Sequence, residues 1–224
     1  MTERWDGPVA DGGQPLPTAG RQVRFRGRVW SVVTDDVRFD SVLAPRDLVL
    51  HPGAVAVIAI DSDDRVLLIR QYRHPVGCYL FEPPAGLLDV AGEPPLATAQ
   101  RELAEESGLS AGRWSVLVDQ YMSPGGMSEA VRVYLARDLA PLPGGRPHTG
   151  EAEEAHLPQA WVDLDRARDL VLSGAVGSPT AVSGVLAAWA ARAGRWAGLR
   201  PADTPWPARD RLVATDWVFA AHRG

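Results

Sequence analysis

Residues 82–109 read EPPAGLLDVAGEPPLATAQRELAEESGL. A glycine-bounded loop feeds a helix here: Pro94 and Pro95 stand where a first helical turn tolerates a missing N–H, and Gly108 stands where a helix stops. Leu96, Ala99 and Leu103 recur at helical spacing and give the segment an apolar side. Glu102, Glu105 and Glu106, at i, i+3 and i+4, are expected to gather on another side. Like charges at that spacing repel by roughly 0.2–0.5 kcal/mol per pair, and the helix dipole disfavours anions near the C-terminal end. Arg101 offsets part of this repulsion. A hard divalent cation would offset more, because Mg²⁺ prefers carboxylate and phosphate oxygens. An arbitrary acidic run is a solvated face; the Gly-rich loop and the ordered string around this one favour metal binding instead.

Working outward, a chain of 224 residues is long enough for a proper core, as one large domain or one and a half. Hydrophobic residues at 46% and charged ones at 23% are ordinary for a soluble globular protein. A net charge of −5 gives no general attraction to nucleic acid or to an anionic membrane. All 23 basic residues are arginine, so a side-chain cation meeting a phosphate is the planar, bidentate guanidinium or a histidine. The lone Cys78 excludes an intrachain disulfide and, with no apolar signal-peptide core in residues 1–17, points to the cytoplasm. No apolar run approaches the roughly 20 residues a membrane span needs.

Residues 1–20 read as a flexible leader. Residues 21–50 alternate as short antiparallel strands, with a turn expected at Asp35-Asp36. This sheet cannot bury both faces alone and needs a partner surface. After His51-Pro52-Gly53, residues 54–60 (AVAVIAI) form an apolar run expected of a strand covered on both faces. Asp61–Asp64 reads as a turn and Arg65–Arg70 as the next strand, which the segment Arg70-Gln71-Tyr72-Arg73 is expected to leave. Further strands are expected at Trp114–Tyr121, Ala130–Leu135 and Ala160–Val162, and helices at Asp165–Leu172 and Thr180–Ala193. The tail, residues 196–224, carries two exposed-looking tryptophans, Trp206 and Trp217, and has no assigned role.

The string Arg101-Glu102-Leu103-Ala104-Glu105-Glu106-Ser107-Gly108-Leu109 is similar to the second half of the Nudix box, R-E-U-x-E-E-x-G-U, where U is a bulky aliphatic residue. Seven residues separate Glu93 from Arg101, as that pattern asks. Gly86 resembles its opening glycine, although six residues separate it from Glu93 where the usual pattern has five. The resemblance implies an α/β (α+β) fold, a Nudix α/β/α sandwich with a mixed sheet over residues 51–195. It also implies that the N-terminal antiparallel sheet, residues 21–50, spans a homodimer interface. Glu102 and Glu106 are the implied metal ligands, with Glu105 supporting or bridging and Arg101 orienting the carboxylates; Glu93 would support the loop or a water.

Within that family the chain resembles ADP-ribose pyrophosphatases. Its RQYR segment implies substrate contacts from Arg70, Tyr72 and Arg73, although arginines just beyond a strand are also often solvated. The E-x-P-A-G entry implies a substrate-side Glu82 and a metal-binding carbonyl at Ala85. Pro124, in the string S-P-G-x-x-S-E, resembles the proline that marks the ADP-ribose subgroup, with Ser128 and Glu129 on the substrate side. The acidic loop at 151–154 corresponds to one carrying a catalytic glutamate, Glu153 or Glu154. These residues together imply Mg²⁺-dependent (or Mn²⁺-dependent) hydrolysis of ADP-ribose to AMP and ribose 5-phosphate. The alternatives are another nucleoside diphosphate sugar as substrate, a non-catalytic ADP-ribose-sensing domain, and a purely structural acidic helix.

Overall fold

The structure is a computed structural model describing residues 4–147 and 157–217. The alternating N-terminal segment forms an antiparallel meander of β1 (Thr18–Arg26), β2 (Ser31–Phe39) and β3 (Val42–Leu50). The turn expected at Asp35-Asp36 is not there. Both residues lie inside β2, paired on either side with β1 and β3, and Asp35 is buried against the Arg21 guanidinium at 2.7 Å. The chain reverses at Asp40, which adopts a left-handed φ of 51°, a conformation Asp tolerates better than most residues.

The apolar run becomes β4 (Ala54–Ala59), followed by β5 (Arg65–Arg73), β6 (Cys78–Glu82) and β7 (Ala85–Leu87). Helix α1 (Pro95–Ser107) leads to the long hairpin of β8 (Leu109–Tyr121) and β9 (Ala130–Pro141), then β10 (Gln159–Asp163), α2 (Leu164–Leu172) and α3 (Pro179–Ala193). Two sheets result, β11-β8-β9-β4-β7 and β10-β5-β6, where β11 is Arg200–Pro201. β4 and β9 pair in parallel and the other described strands of the larger sheet pair antiparallel, so that sheet is mixed.

Strand β4 explains the layering. Val55, Val57 and Ala59 pack toward α1 with Leu103 and Tyr134, while Ala56 and Ile58 pack toward α2 and α3 with Leu164 and Val185. Successive side chains of a strand point to opposite faces, so an unbroken apolar run fills both cores of an α/β/α sandwich. No helix among the described residues is long and apolar enough to cross a membrane.

The tail folds back as β11 and α4 (Pro207–Ala214). Trp206 is not exposed: it is 5% accessible and packs in the α1-side core. Arg132 bolts it there. Its guanidinium lies 4.8 Å over the Trp206 ring, donates to the carbonyls of Thr204 and Pro205, and holds Asp119 at 2.7 and 3.0 Å.

Candidate active site

Helix α1 owes its limits to local chemistry. Pro94 caps it in an extended conformation, and Gly108 closes it at φ 73°, donating its N–H to the Ala104 carbonyl, a left-handed C-cap that glycine adopts at little cost. The helix buries Thr98, Ala99, Glu102, Leu103 and Glu106. Glu102 and Glu106 are buried alongside Ala99 and Leu103, and Glu105 is half-buried, close enough to Glu102 for one Arg101 nitrogen to bind both.

The surface beneath the helix makes this burial tolerable. The Ala85 N–H donates to Glu106 Oε2 at 2.8 Å. Gly86 lies so close to the Glu102 carboxyl that any Cβ there would overlap it. Any residue larger than Gly86 would leave no room for the Glu102 carboxylate as it lies. Arg101 then binds the remaining acids: Nη1 donates to Glu102 at 2.7 Å and to Glu105 at 2.8 Å, while Nε and Nη2 each reach Glu93 at 3.1 Å. Glu93 also accepts from Thr98 Oγ1. Hydrogen bonds to Glu93 are the first cause of a raised Arg101 pKa.

Among the described residues, no three His, Cys, Asp or Glu side chains gather tightly enough to hold a metal alone. Arg101 stands between Glu102 and Glu105, and Glu106 is turned to Ala85. The donors present are nonetheless hard oxygens, two buried carboxylates beside the Ala85 main chain. Mg²⁺ takes such a set when waters and phosphates complete its shell, so the residues fit the ion.

A second cluster assembles several residues expected to face substrate. Glu82 is buried and accepts from Arg73 through Nε at 2.8 Å and Nη2 at 2.7 Å. Its other oxygen accepts from Ser178 Oγ at 3.0 Å. Burial raises the Glu129 pKa, and the charge of Arg73 partly opposes that shift. Ser128 is buried, and its Oγ accepts the His51 N–H at 3.0 Å. Pro124 lies on the exposed turn just before, at the edge of a cavity of ≈ 680 Å³ shared with Val37, Leu48, Tyr121 and Arg211.

Strand β5 does not end at Arg70 but continues through Arg73, held by β6. Arg73 and Glu82 consequently share one sheet face, and Arg70 and Tyr72 project from the other. There the Arg70 guanidinium sits 4.1 Å over the Tyr79 ring, with Tyr72 5.3 Å from the same ring. The four-residue segment is thus split between two surfaces. Glu153 and Glu154 lie outside the described residues. The segment containing them is flanked by Arg146, which donates to the Glu105 carbonyl, and Gln159, which donates to the Glu106 carbonyl at 3.2 Å.

His51, Ser178, Arg146 and Gln159 went unseen in the sequence, where no motif or periodicity marks them. Burial lowers the His51 pKa from 6.5 to about 4. Between those values the unfolded chain binds a proton that the folded chain refuses, so stability should fall as pH drops from about 6.5 toward about 4. Unfolding midpoints at about pH 7 and about pH 5 measure this. The difference should shrink in His51→Gln; an unchanged difference would assign the effect to other groups.

Residues 50–179 match the model of the NUDIX domain. The chain belongs to the Nudix family. It is 43% identical over 207 residues to the ADP-ribose pyrophosphatase of Mycobacterium tuberculosis (strain ATCC 25618 / H37Rv), covering 92% of this chain and 95% of that protein. The ADP-ribose pyrophosphatase of Bacillus subtilis (strain 168) is 38% identical over 126 residues, 56% of this chain and 68% of its own. A crystal structure of an ADP compounds hydrolase superposes with a TM-score of 0.70 at 26% identity, covering 83% of this chain and 98% of that one. Helix α1 is accordingly the Nudix helix. The extra residue between Gly86 and Glu93 is absorbed ahead of it, in a turn where Gly92 takes φ 78° and the Glu93 N–H donates to the Val90 carbonyl.

Proposed function

We propose that this Nudix hydrolase cleaves the pyrophosphate bond of ADP-ribose to AMP and ribose 5-phosphate with the help of Mg²⁺, Mn²⁺ being the alternative ion. One observation carries the reading: Glu102 and Glu106 lie buried on the Nudix helix against Ala85-Gly86. Burying two carboxylates is costly unless charge is supplied, and a divalent ion with a diphosphate supplies it. The near full-length likeness to a protein named ADP-ribose pyrophosphatase supports the substrate.

Glu102, Glu106 and the Ala85 carbonyl would hold the ion, with Glu105 supporting. When bound, the ion neutralises phosphate charge and acidifies water. Arg101 orients Glu93, Glu102 and Glu105. Arg73, fixed by Glu82, offers a guanidinium suited to phosphate or ribose oxygens, while Ser128, Glu129 and Pro124 shape the sugar side. Arg70 and Tyr72, expected to contact substrate, lie on the opposite face of the sheet from Arg73 and Glu82, packed on Tyr79. Glu153 or Glu154 accepts the proton of the attacking water; on either side of that segment in the sequence, Arg146 donates to the Glu105 carbonyl and Gln159 to the Glu106 carbonyl.

The chain works in the cytoplasm as a homodimer, a state favoured by the exposed Phe25, Trp30, Phe39 and Val42 of the N-terminal sheet. Hydrolysis of a nucleoside diphosphate sugar panel, scored for nucleoside monophosphate release with and without Mg²⁺, tests the function. ADP-ribose should be turned over fastest and only with the ion. Turnover of GDP-mannose but not ADP-ribose would overturn the substrate, and tight ADP-ribose binding without turnover would make the domain a sensor.

A further inference from the structure

We infer that His51, at the junction between the N-terminal sheet and the Nudix domain, is a positioning residue that presents a fixed N–H to the Glu129 carboxylate and so sets the substrate side of the site. The inference rests on the ADP-ribose reading above, in which Glu129 faces the substrate.

One hydrogen bond fixes the ring, and two more fix the chain around it. The Gly53 N–H donates to His51 Nδ1 at 3.1 Å. A nitrogen that accepts cannot carry the proton, so a neutral ring holds it on Nε2. Burial keeps the ring neutral, since a charged imidazolium is poorly solvated there. The His51 main-chain N–H donates to Ser128 Oγ, and the Ser128 N–H donates to the Val49 carbonyl at 2.9 Å. The end of β3 is thereby stitched to the loop that carries Pro124, Ser128 and Glu129.

With Nδ1 and the backbone committed, Nε2 is aimed at Glu129 Oε1, 3.7 Å away. That is too long for a direct hydrogen bond. Contacts of this kind in ligand-free sites often tighten when substrate binds. Glu129 gains from such a donor, because burial disfavours its charged form and, among the described residues, it is the charge of Arg73 that opposes this. A neutral N–H helps keep it an ionised acceptor for a sugar hydroxyl without adding a charge that would compete with Arg73. The ring thus adds to the Val49 and Ser128 contacts that link the end of β3 to the loop carrying Glu129.

Two substitutions separate the ring nitrogens. His51→Asn keeps an oxygen near Nδ1 for Gly53 but has no N–H near Nε2; His51→Gln carries an amide N–H out to the Nε2 position. His51→Asn should raise KM for ADP-ribose about tenfold with kcat within about twofold, and His51→Gln should recover most of that loss. In a Glu129→Gln background, His51→Asn should add almost nothing, whereas a merely structural role would add its full effect. ¹³C NMR titration of Glu129 gives a readout independent of turnover: its pKa should rise in His51→Asn and not in His51→Gln. An unmoved Glu129 pKa, or a KM loss that persists undiminished in the double variant, overturns the inference. If the wild-type chain leaves ADP-ribose intact, the functional reading fails, and the NMR titration still decides the role of His51.

Discussion

Glu106→Gln is expected to lower Mg²⁺-dependent ADP-ribose turnover about a thousandfold, because it removes one of the proposed anionic ligands where several kcal/mol of charge stabilisation is at stake. The fold should survive. The glutamine amide oxygen can still accept the Ala85 N–H that Glu106 accepts at 2.8 Å, and losing one charge relaxes the repulsion with Glu102. Unfolding stability should therefore stay within about 1 kcal/mol of wild type. Metal titration by calorimetry should show weakened Mg²⁺ affinity alongside the lost rate. Wild-type turnover in this variant would remove Glu106 from the ligand set.

Gly86→Ala is the second large effect, and it acts without touching any charge. The new Cβ overlaps the Glu102 carboxyl, and of the two groups the side chain moves more easily than the strand backbone. Glu102 is then expelled from its position beside Glu106, so turnover should fall about a hundredfold while destabilisation stays near about 1–2 kcal/mol. Added Mg²⁺ should recover part of the rate if displacement of Glu102 is the cause. A collapse of stability with normal activity in the surviving folded fraction would mean that the backbone yields instead.

How much of this was legible depended on distance along the chain. The limits of α1 were readable because caps are local: Pro94-Pro95 and Gly108 carry the information themselves. The two-sided core was readable from β4, since an unbroken apolar strand has one sensible environment. The burial of Glu102 and Glu106 was hidden, because their composition says surface and only the facing Ala85-Gly86 says otherwise. Asp35 looked like half of a turn because its partner, Arg21, reaches it from another strand. Trp206 looked exposed because Arg132 is brought to it by the sheet. Ser178 and Glu82 are 96 positions apart, and no motif spans that separation. The residues that were named lay within short ordered strings; those missed hold the strings in place.

The pleat of β5 imposes an alternation on any substitution scan through Arg70-Gln71-Tyr72-Arg73. Truncating Arg73 strips Glu82 of its guanidinium and should register as lost catalysis. Truncating Arg70 or Tyr72, two residues of the same four-letter word, should leave Glu82 untouched and disturb instead the aromatic cluster around Tyr79 on the opposite face. A ribbon only one residue thick therefore addresses two audiences, and letters adjacent in print can belong to separate phenotypes.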